Sequence, residues 1–414
     1  MTISRRSFIA GTAIAPFVGP RTAPLGIRAS TAPAPPYASN APFAPAPERF
    51  EPWVEVDSAA IRTNVGVLSR LAGGRPITAV IKNNGYGLGL QEVARVLEPD
   101  SRVSGFAVVK VAEALALREA GIRKPVLLLA LFDDADGETL VRNDITLSLC
   151  VPDIGARVAR AIGRAARPAR GQLYIDTGMS RMGIPYHAAL PALREIARTP
   201  RLVIAGMFTE LTEDREFDTE QVRRLNTLAA EARAAGISTG PLHAASSHAV
   251  FNHHDTLLDA VRPGISLFGG YPTDDGSERS IAELTVALRL KARVVRVERL
   301  RAGDTVSYGR RFKADVPTWI ATIPMGHADG FPRRATEGAQ VLIGGRTYPV
   351  IGAVSASHAI ANLGPETGVK VGDVVTLVGP DHPAIHPNAL ASATGISVYD
   401  VLMHLNQGLP RVVG

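Results

Sequence analysis

The chain has 414 residues, 46% hydrophobic and 20% charged, which is enough apolar content for a sizeable core, excludes wholesale disorder, and at this length accommodates two or three domains. A formal charge of +6 invites a nucleic-acid partner. However, Arg5, Arg6, Arg21 and Arg28, with no acidic residue before Glu48, supply most of that excess, so the rest of the chain is close to neutral and no nucleic-acid partner is expected. The single cysteine, Cys150, excludes an intrachain disulfide framework and a multi-cysteine zinc site, and its place at the end of an apolar run suits core packing.

In chain order, Ser4-Arg5-Arg6-Ser7-Phe8 precedes an uncharged apolar stretch from Ile9 to Val18. Paired arginines before a short apolar run fit a twin-arginine export signal, and the run is about half the roughly 20 residues that a membrane anchor needs. Six prolines among alanines from Pro33 to Pro47 read as an extended linker. Residues 1–47 are therefore expected to be signal and linker, and the protein is expected to be periplasmic with no stable membrane anchor.

From Trp53 the pattern changes. Trp53 to Val56 alternates as a strand, Asp57 or Ser58 can cap, and Ile61, Val65, Leu68 and Leu71 recur at helical spacing. Strand-like and helix-like runs then alternate: Thr78 to Ile81, Leu90 to Leu97, Gly105 to Val109, Ala112 to Ala120, Val126 to Ala130, Gln172 to Ile175 and Val203 to Phe208. A helix from Thr219 to Ala235, capped by Asp218, and a run from Gly264 to Phe268 complete the series. This alternation predicts an α/β fold over residues 48–283, an eightfold (β/α)8 barrel in preference to an open sheet. No G-x-G-x-x-G opens a helix after a strand, which argues against a dinucleotide fold. Residues 284–414 carry short β-rich runs at Leu284 to Val297, Trp319 to Ile323, Gln340 to Ile343, Thr347 to Val354 and Val374 to Val378. They predict a C-terminal, mainly β domain with helical pattern only from Leu390 to Leu405.

The stretch Ala79-Val80-Ile81-Lys82-Asn83-Asn84-Gly85-Tyr86-Gly87 puts a lysine at the C-terminal end of a barrel strand, where this fold keeps its reactive groups. Such an amine can form a Schiff base with a carbonyl cofactor if its pKa is lowered, although alone it reads more readily as a surface lysine. The histidines at His253-His254-Asp255 and His382 to His386 are poorly spaced for convergent metal ligation and read as solvated loop residues, so no metal is expected.

With Ile175-Asp176-Thr177-Gly178-Met179-Ser180-Arg181-Met182-Gly183, His243-Ala244-Ala245-Ser246-Ser247, Val261-Arg262-Pro263-Gly264-Ile265, Val306-Ser307-Tyr308-Gly309 and Ile323-Pro324-Met325-Gly326-His327-Ala328-Asp329-Gly330 in the same order, the chain from Trp53 onward resembles the alanine racemase family. The resemblance implies pyridoxal 5'-phosphate as cofactor and a two-base racemisation with Lys82 and Tyr308 as catalytic residues. It also implies a homodimer in which each tyrosine serves the other subunit's site. It assigns Lys82, Tyr86, Ser247, Arg262, Gly264 and Ile265 to the cofactor, and Arg181, Ala356, Gln407 and Arg333 to the substrate or its entrance. Arg262 would face the pyridine nitrogen and, being permanently charged, disfavour protonation of the ring.

Five positions depart from the family pattern. Glu210 stands for a histidine that lies against the cofactor ring, and Tyr174 for a lysine that is often carbamylated beside the arginine. Gln407 aligns with a tyrosine that narrows the pocket. Ser355-Ala356-Ser357-His358 replaces a Met-Asp stretch, and His327 a tyrosine of the entrance. Together they predict tolerance of amino acids larger than alanine. The alternative is a degenerate member that binds pyridoxal phosphate or an amino acid without efficient racemisation. A related barrel decarboxylase is disfavoured, because Cys150 falls in the barrel and not in the β domain.

Overall fold

The computed structural model describes residues 50–414; the predicted export signal and proline-rich linker lie outside the described residues. Seven parallel strands follow one another round the first sheet: Ile77–Val80, Val103–Val108, Val126–Leu128, Ile145–Leu149, Ala169–Asp176, Leu202–Phe208 and Leu242–His243. The ring closes through residues 259–263. Ala260 bridges to His243 and Val261 to Ile77, both parallel. The N–H groups of Thr78 and Val80 donate to the carbonyls of Val261 and Pro263 at 2.9 and 3.0 Å. The sheet is thus the predicted barrel, its eighth position held by a short extended segment. Helix Ser58–Leu71 precedes the first of these strands, and Leu90–Leu97, Val111–Glu119, Asp134–Arg142, Ile154–Ala165, Ala189–Ala197 and Arg215–Ala234 each follow one of them in turn.

Two local expectations are corrected. Gly264 to Phe268 is not a strand: Ile265–Phe268 is a 3-10 turn beyond the closing segment. The long helix begins at Arg215 and not at Thr219; its cap is Asp214, whose carboxylate accepts from the Phe217 N–H at 3.0 Å. Asp218 is instead a buried residue of the first turn, and its side chain points inward to other partners.

The second sheet has nine strands, in the order Arg296–Leu300, Thr318–Ile323, Ala359–Gly364, Arg346–Ile351, Gln340–Ile343, Val374–Val378, Leu288–Arg293, Trp53–Val56 and Arg411–Val413. The strand Trp53–Val56, which precedes the barrel in sequence, pairs antiparallel with Leu288–Arg293 and parallel with Arg411–Val413. Local alternation shows that a strand is present but not which sheet receives it, and here burial of all four residues between two β-domain strands decides. One continuous core runs from the barrel into this sheet. Two short helices, Pro387–Thr394 and Val398–Met403, form the late helical stretch, and the second packs beside the Lys82 turn. Among the described residues, no helix is long and apolar enough to cross a membrane.

Candidate active site

Lys82 follows the first barrel strand at its C-terminal end. The next four residues, Asn83, Asn84, Gly85 and Tyr86, all have positive φ (54, 58, 60 and 54°), so the predicted glycine-rich turn is one turn of left-handed helix. Asparagine and glycine tolerate this region, whereas a tyrosine adopts it only when its surroundings hold it there. The surroundings do so: Gly85 N–H donates to Ile81 O at 3.0 Å, Asn84 N–H to the Glu113 carboxylate at 2.9 Å, and the Asn84 side chain accepts from Leu90 N–H at 3.0 Å.

That turn opens onto a cavity of about 500 Å³ lined by Lys82, Tyr86, Tyr174, Arg181, Glu210, Ser247, Arg262, Gly264 and Tyr399 among others. Burial holds the Lys82 amine below its ordinary pKa; Glu210 opposes that shift, Arg181 reinforces it and Glu113 opposes it. A larger neutral fraction is what a nucleophilic lysine requires.

At another wall, the Ser247 hydroxyl oxygen accepts the Gly264 N–H at 2.9 Å. A Cβ on Gly264 would lie 2.2 Å from the Tyr86 hydroxyl oxygen, so only glycine permits this approach. Tyr86, Ser247 and Gly264 therefore form a tight wall of hydroxyls and backbone, suited to a phosphate. Ile265 is buried and starts the adjoining 3-10 turn.

Arg262 is buried and held at both ends of its fork. Nη2 donates to the carbonyls of Thr209 at 2.7 Å and Ala244 at 3.1 Å, and stands 3.3 Å from Glu210 Oε2. Nη1 donates to His243 Nδ1 at 2.5 Å. Because a guanidinium only donates, His243 must present Nδ1 as acceptor and carry its proton on Nε2, which then donates to Gln172 Oε1 at 2.7 Å. Burial, then the Arg262 charge, keeps this imidazole neutral by lowering its pKa far below the usual value.

Tyr174 is buried and stacked on Phe208 with ring centroids 4.4 Å apart, and it lines the cavity together with Arg181. Burial, then Glu210, pushes its phenol up, while the Arg181 charge and hydrogen bond pull it down.

Three predicted residues lie elsewhere in the same chain. Tyr308, Arg333 and Ala356, with His327, line a separate cleft of the β domain. Arg333 Nη2 donates to His327 Nε2 at 2.9 Å. Tyr308 is 76% exposed on a turn in which Ser307, Gly309 and Arg310 all have positive φ, and the Ser307 hydroxyl donates to Ala353 O at 2.9 Å.

Gln407 is a correction. It is exposed and outside the cavity, and its main-chain carbonyl accepts from Arg411. The tyrosine sought there is Tyr399, which lines the cavity with its ring centroid 6.4 Å from that of Tyr86; burial raises its pKa. Helix Val398–Met403, capped by the Ser397 hydroxyl, turns it inward. The readable signal was Ser397-Val398-Tyr399-Asp400, a cap followed by an aromatic. His243 and Gln172 were also missed as supports of Arg262, because neither lies near it in sequence.

A barrel with a desolvated lysine at the top of its first strand, a hydroxyl-and-glycine wall for an anion and an arginine fixed between them, followed by a β domain, defines a pyridoxal-phosphate-dependent isomerase of the amino-acid racemase class. Residues 56–272 match the family described as alanine racemase, N-terminal domain, and residues 287–413 match the one described as alanine racemase, C-terminal domain. The chain belongs to the alanine racemase family. It is 33% identical over 367 residues to the alanine racemase of Symbiobacterium thermophilum, covering 87% of this chain and 97% of that one. It is 35% identical over 368 residues to the alanine racemase of Geobacter sulfurreducens, covering 86% and 96%. Solved structures similar to it include alanine racemase of Clostridium difficile, with TM-score 0.81, 28% identity, and 88% and 95% of the chains covered. Alanine racemase of Streptomyces coelicolor gives TM-score 0.82, 27% identity, and 88% and 98% covered.

Proposed function

We propose that this protein interconverts the L and D forms of alanine, and of some larger amino acids, by a two-base mechanism in a homodimer with shared active sites. The observation that carries the reading is one cavity lined by Lys82, Arg262, Tyr86, Ser247 and Gly264 together. When bound, pyridoxal phosphate supplies the electron delocalisation that acidifies the substrate Cα–H. Tyr86, Ser247 and Gly264 would hold its phosphate. Arg262, with a fixed charge and two backbone anchors, would stand toward the ring nitrogen and give up no proton. The Lys82 amine, its pKa lowered by burial, would take or return the proton on one face.

The other face belongs to Tyr308 of the partner subunit. What supports this is its exposure, its strained turn and its separation from the Lys82 cavity within one chain. Arg333, Ala356 and His327 share its cleft and would then shape the entrance.

The case for broad specificity now rests on Glu210, Tyr174, His327 and the Ser355 to His358 stretch, since Tyr399 keeps an aromatic ring in the cavity. We also assign residues 1–47 to export through Arg5 and Arg6, giving a periplasmic enzyme. Replacing both arginines with lysine should leave the protein in the cytoplasm on fractionation.

Borohydride reduction and peptide mapping test the cofactor bond, which should fall on Lys82. A chiral assay over alanine, serine, lysine, arginine and methionine tests activity. A preference for alanine of a hundredfold or more overturns the broad-specificity part. Tyr308→Phe should lower racemisation about 100-fold or more, and undiminished turnover removes the two-base mechanism.

A further inference from the structure

His253 is not a solvated loop residue. It is buried, and its Nδ1 lies 2.8 Å from Asp218 Oδ2. The ring of His248 meets the ring of His253 edge-on with centroids 5.2 Å apart. One potential ligand atom from each of Asp218, His248 and His253 lies within 4.8 Å of the other two. We propose that these three residues form a binding site for a late first-row divalent cation such as zinc, with water completing the coordination, outside the catalytic machinery.

Several independent features support it. Two imidazoles and a carboxylate are a donor set suited to zinc, and three protein ligands leave a fourth position for solvent. The Asp218 carboxylate is already oriented: its Oδ1 accepts from the Thr212 N–H at 2.9 Å and the Thr212 hydroxyl at 3.1 Å, leaving Oδ2 toward His253. A buried Asp–His hydrogen bond would account for two members of the group but not the third. Nδ1 of His248 is buried with no hydrogen-bond partner, and a buried polar atom left so is costly unless something binds it.

The position gives the cation a structural task. Asp218 lies in the first turn of helix Arg215–Ala234, while His248 and His253 belong to the start and the C-cap of helix Ser247–Asn252. Thr212, Glu213 and Ser247 line the active-site cavity. A bound cation would tie the loop bearing Thr212 and Glu213 to the helix bearing Ser247. His253 has left helical geometry (φ −137°, ψ 70°), which lets a ligand five residues after His248 turn back toward it.

The test uses the full chain without a polyhistidine tag, cofactor bound, cleared of metal by a chelator and then titrated with zinc in competition with a chromophoric chelator. One equivalent should bind at micromolar affinity or tighter, and elemental analysis should find it retained after gel filtration. His248→Gln and His253→Gln should each weaken binding tenfold or more, whereas His254→Gln, an exposed neighbour, should not. His248 is only partly buried, so its variant remains informative even if His253→Gln does not fold. Failure of the wild-type chain to retain zinc, or His248→Gln binding as tightly as wild type, overturns the site and leaves an Asp–His hydrogen bond of purely structural use.

Discussion

Arg262 Nη2 stands 3.3 Å from Glu210 Oε2, but the same nitrogen is held at 2.7 Å by the carbonyl of Thr209 and at 3.1 Å by that of Ala244. The shorter contacts fix the guanidinium, and the carboxylate offsets its charge without being needed to place it. A carboxylate at position 210 therefore bears on the field in the cavity more than on its shape. Among the groups that sense Glu210 are Lys82, Tyr86, Tyr174 and Tyr399.

Glu210→Gln should leave Arg262 in position and shift the reactivity of Lys82. Glu210 raises the Lys82 pKa against the lowering by burial, so its removal lowers that pKa and increases the neutral fraction at a given pH. The pH profile of pyridoxal-phosphate capture by the apoprotein, followed by absorbance, should move its midpoint to lower pH. A midpoint that stays put or moves upward contradicts this electrostatic account.

Gly264→Ala puts a methyl group 2.2 Å from the Tyr86 hydroxyl. Tyr86 sits in a left-handed turn and is buried against Phe268, with ring centroids 5.2 Å apart, so it cannot yield freely. Overpacking of this kind costs about 1–3 kcal/mol, and the cofactor dissociation constant should rise at least tenfold. Equilibrium titration of the apoprotein reads it directly, and unchanged affinity means that this wall does not hold the phosphate.

Tyr399 and Gln407 make opposite predictions. Tyr399→Ala empties part of the cavity wall, and the kcat/KM ratio of methionine to alanine should rise by about tenfold or more. Gln407→Ala, on the exposed turn before Leu409, should leave the same ratio within about twofold, in line with surface substitutions. A large effect at Gln407 with none at Tyr399 reverses the assignment made from the structure.

His386 should govern part of the acid stability. Burial, then the Arg279 charge, lowers its pKa from 6.5 to about 3. Its Nδ1 accepts the Asn388 N–H at 3.2 Å, and Nε2 is buried without a partner. The unfolded chain takes up a proton below pH 6.5 while the folded chain resists it, so this stability is complete above 6.5 and declines as pH falls toward about 3. The decline is on the order of a few kcal/mol. His386→Asn keeps a cap acceptor and should flatten the fall of Tm between pH 6.5 and 4; an unaltered slope means that other groups dominate there.

The alternation of strand and helix, the β-rich C-terminal third and the position of Lys82 at a strand end were legible because each depends on a short window of periodicity and turn chemistry. The misplaced residues failed for the opposite reason. Gln407 aligns with the pocket tyrosine by its place just before Leu409-Pro410-Arg411, whereas Tyr399 enters the cavity because a serine-capped helix turns it there. Asp218 looked like a cap because it precedes an apolar-periodic run, but Asp214 is the residue whose carboxylate reaches a free N–H of the first turn.

The sequence by itself determined the barrel, the β domain, the cofactor lysine and the family, since local periodicity and ordered motifs survive without knowledge of what touches what. The tertiary structure decided that Trp53–Val56 completes the β sheet, that Arg262 and Gln172 hold His243 in one tautomer, and that Asp218, His248 and His253 meet. Those facts depend on pairs far apart in the chain, and only the closing of the barrel and the packing of its helices bring such groups within bonding distance.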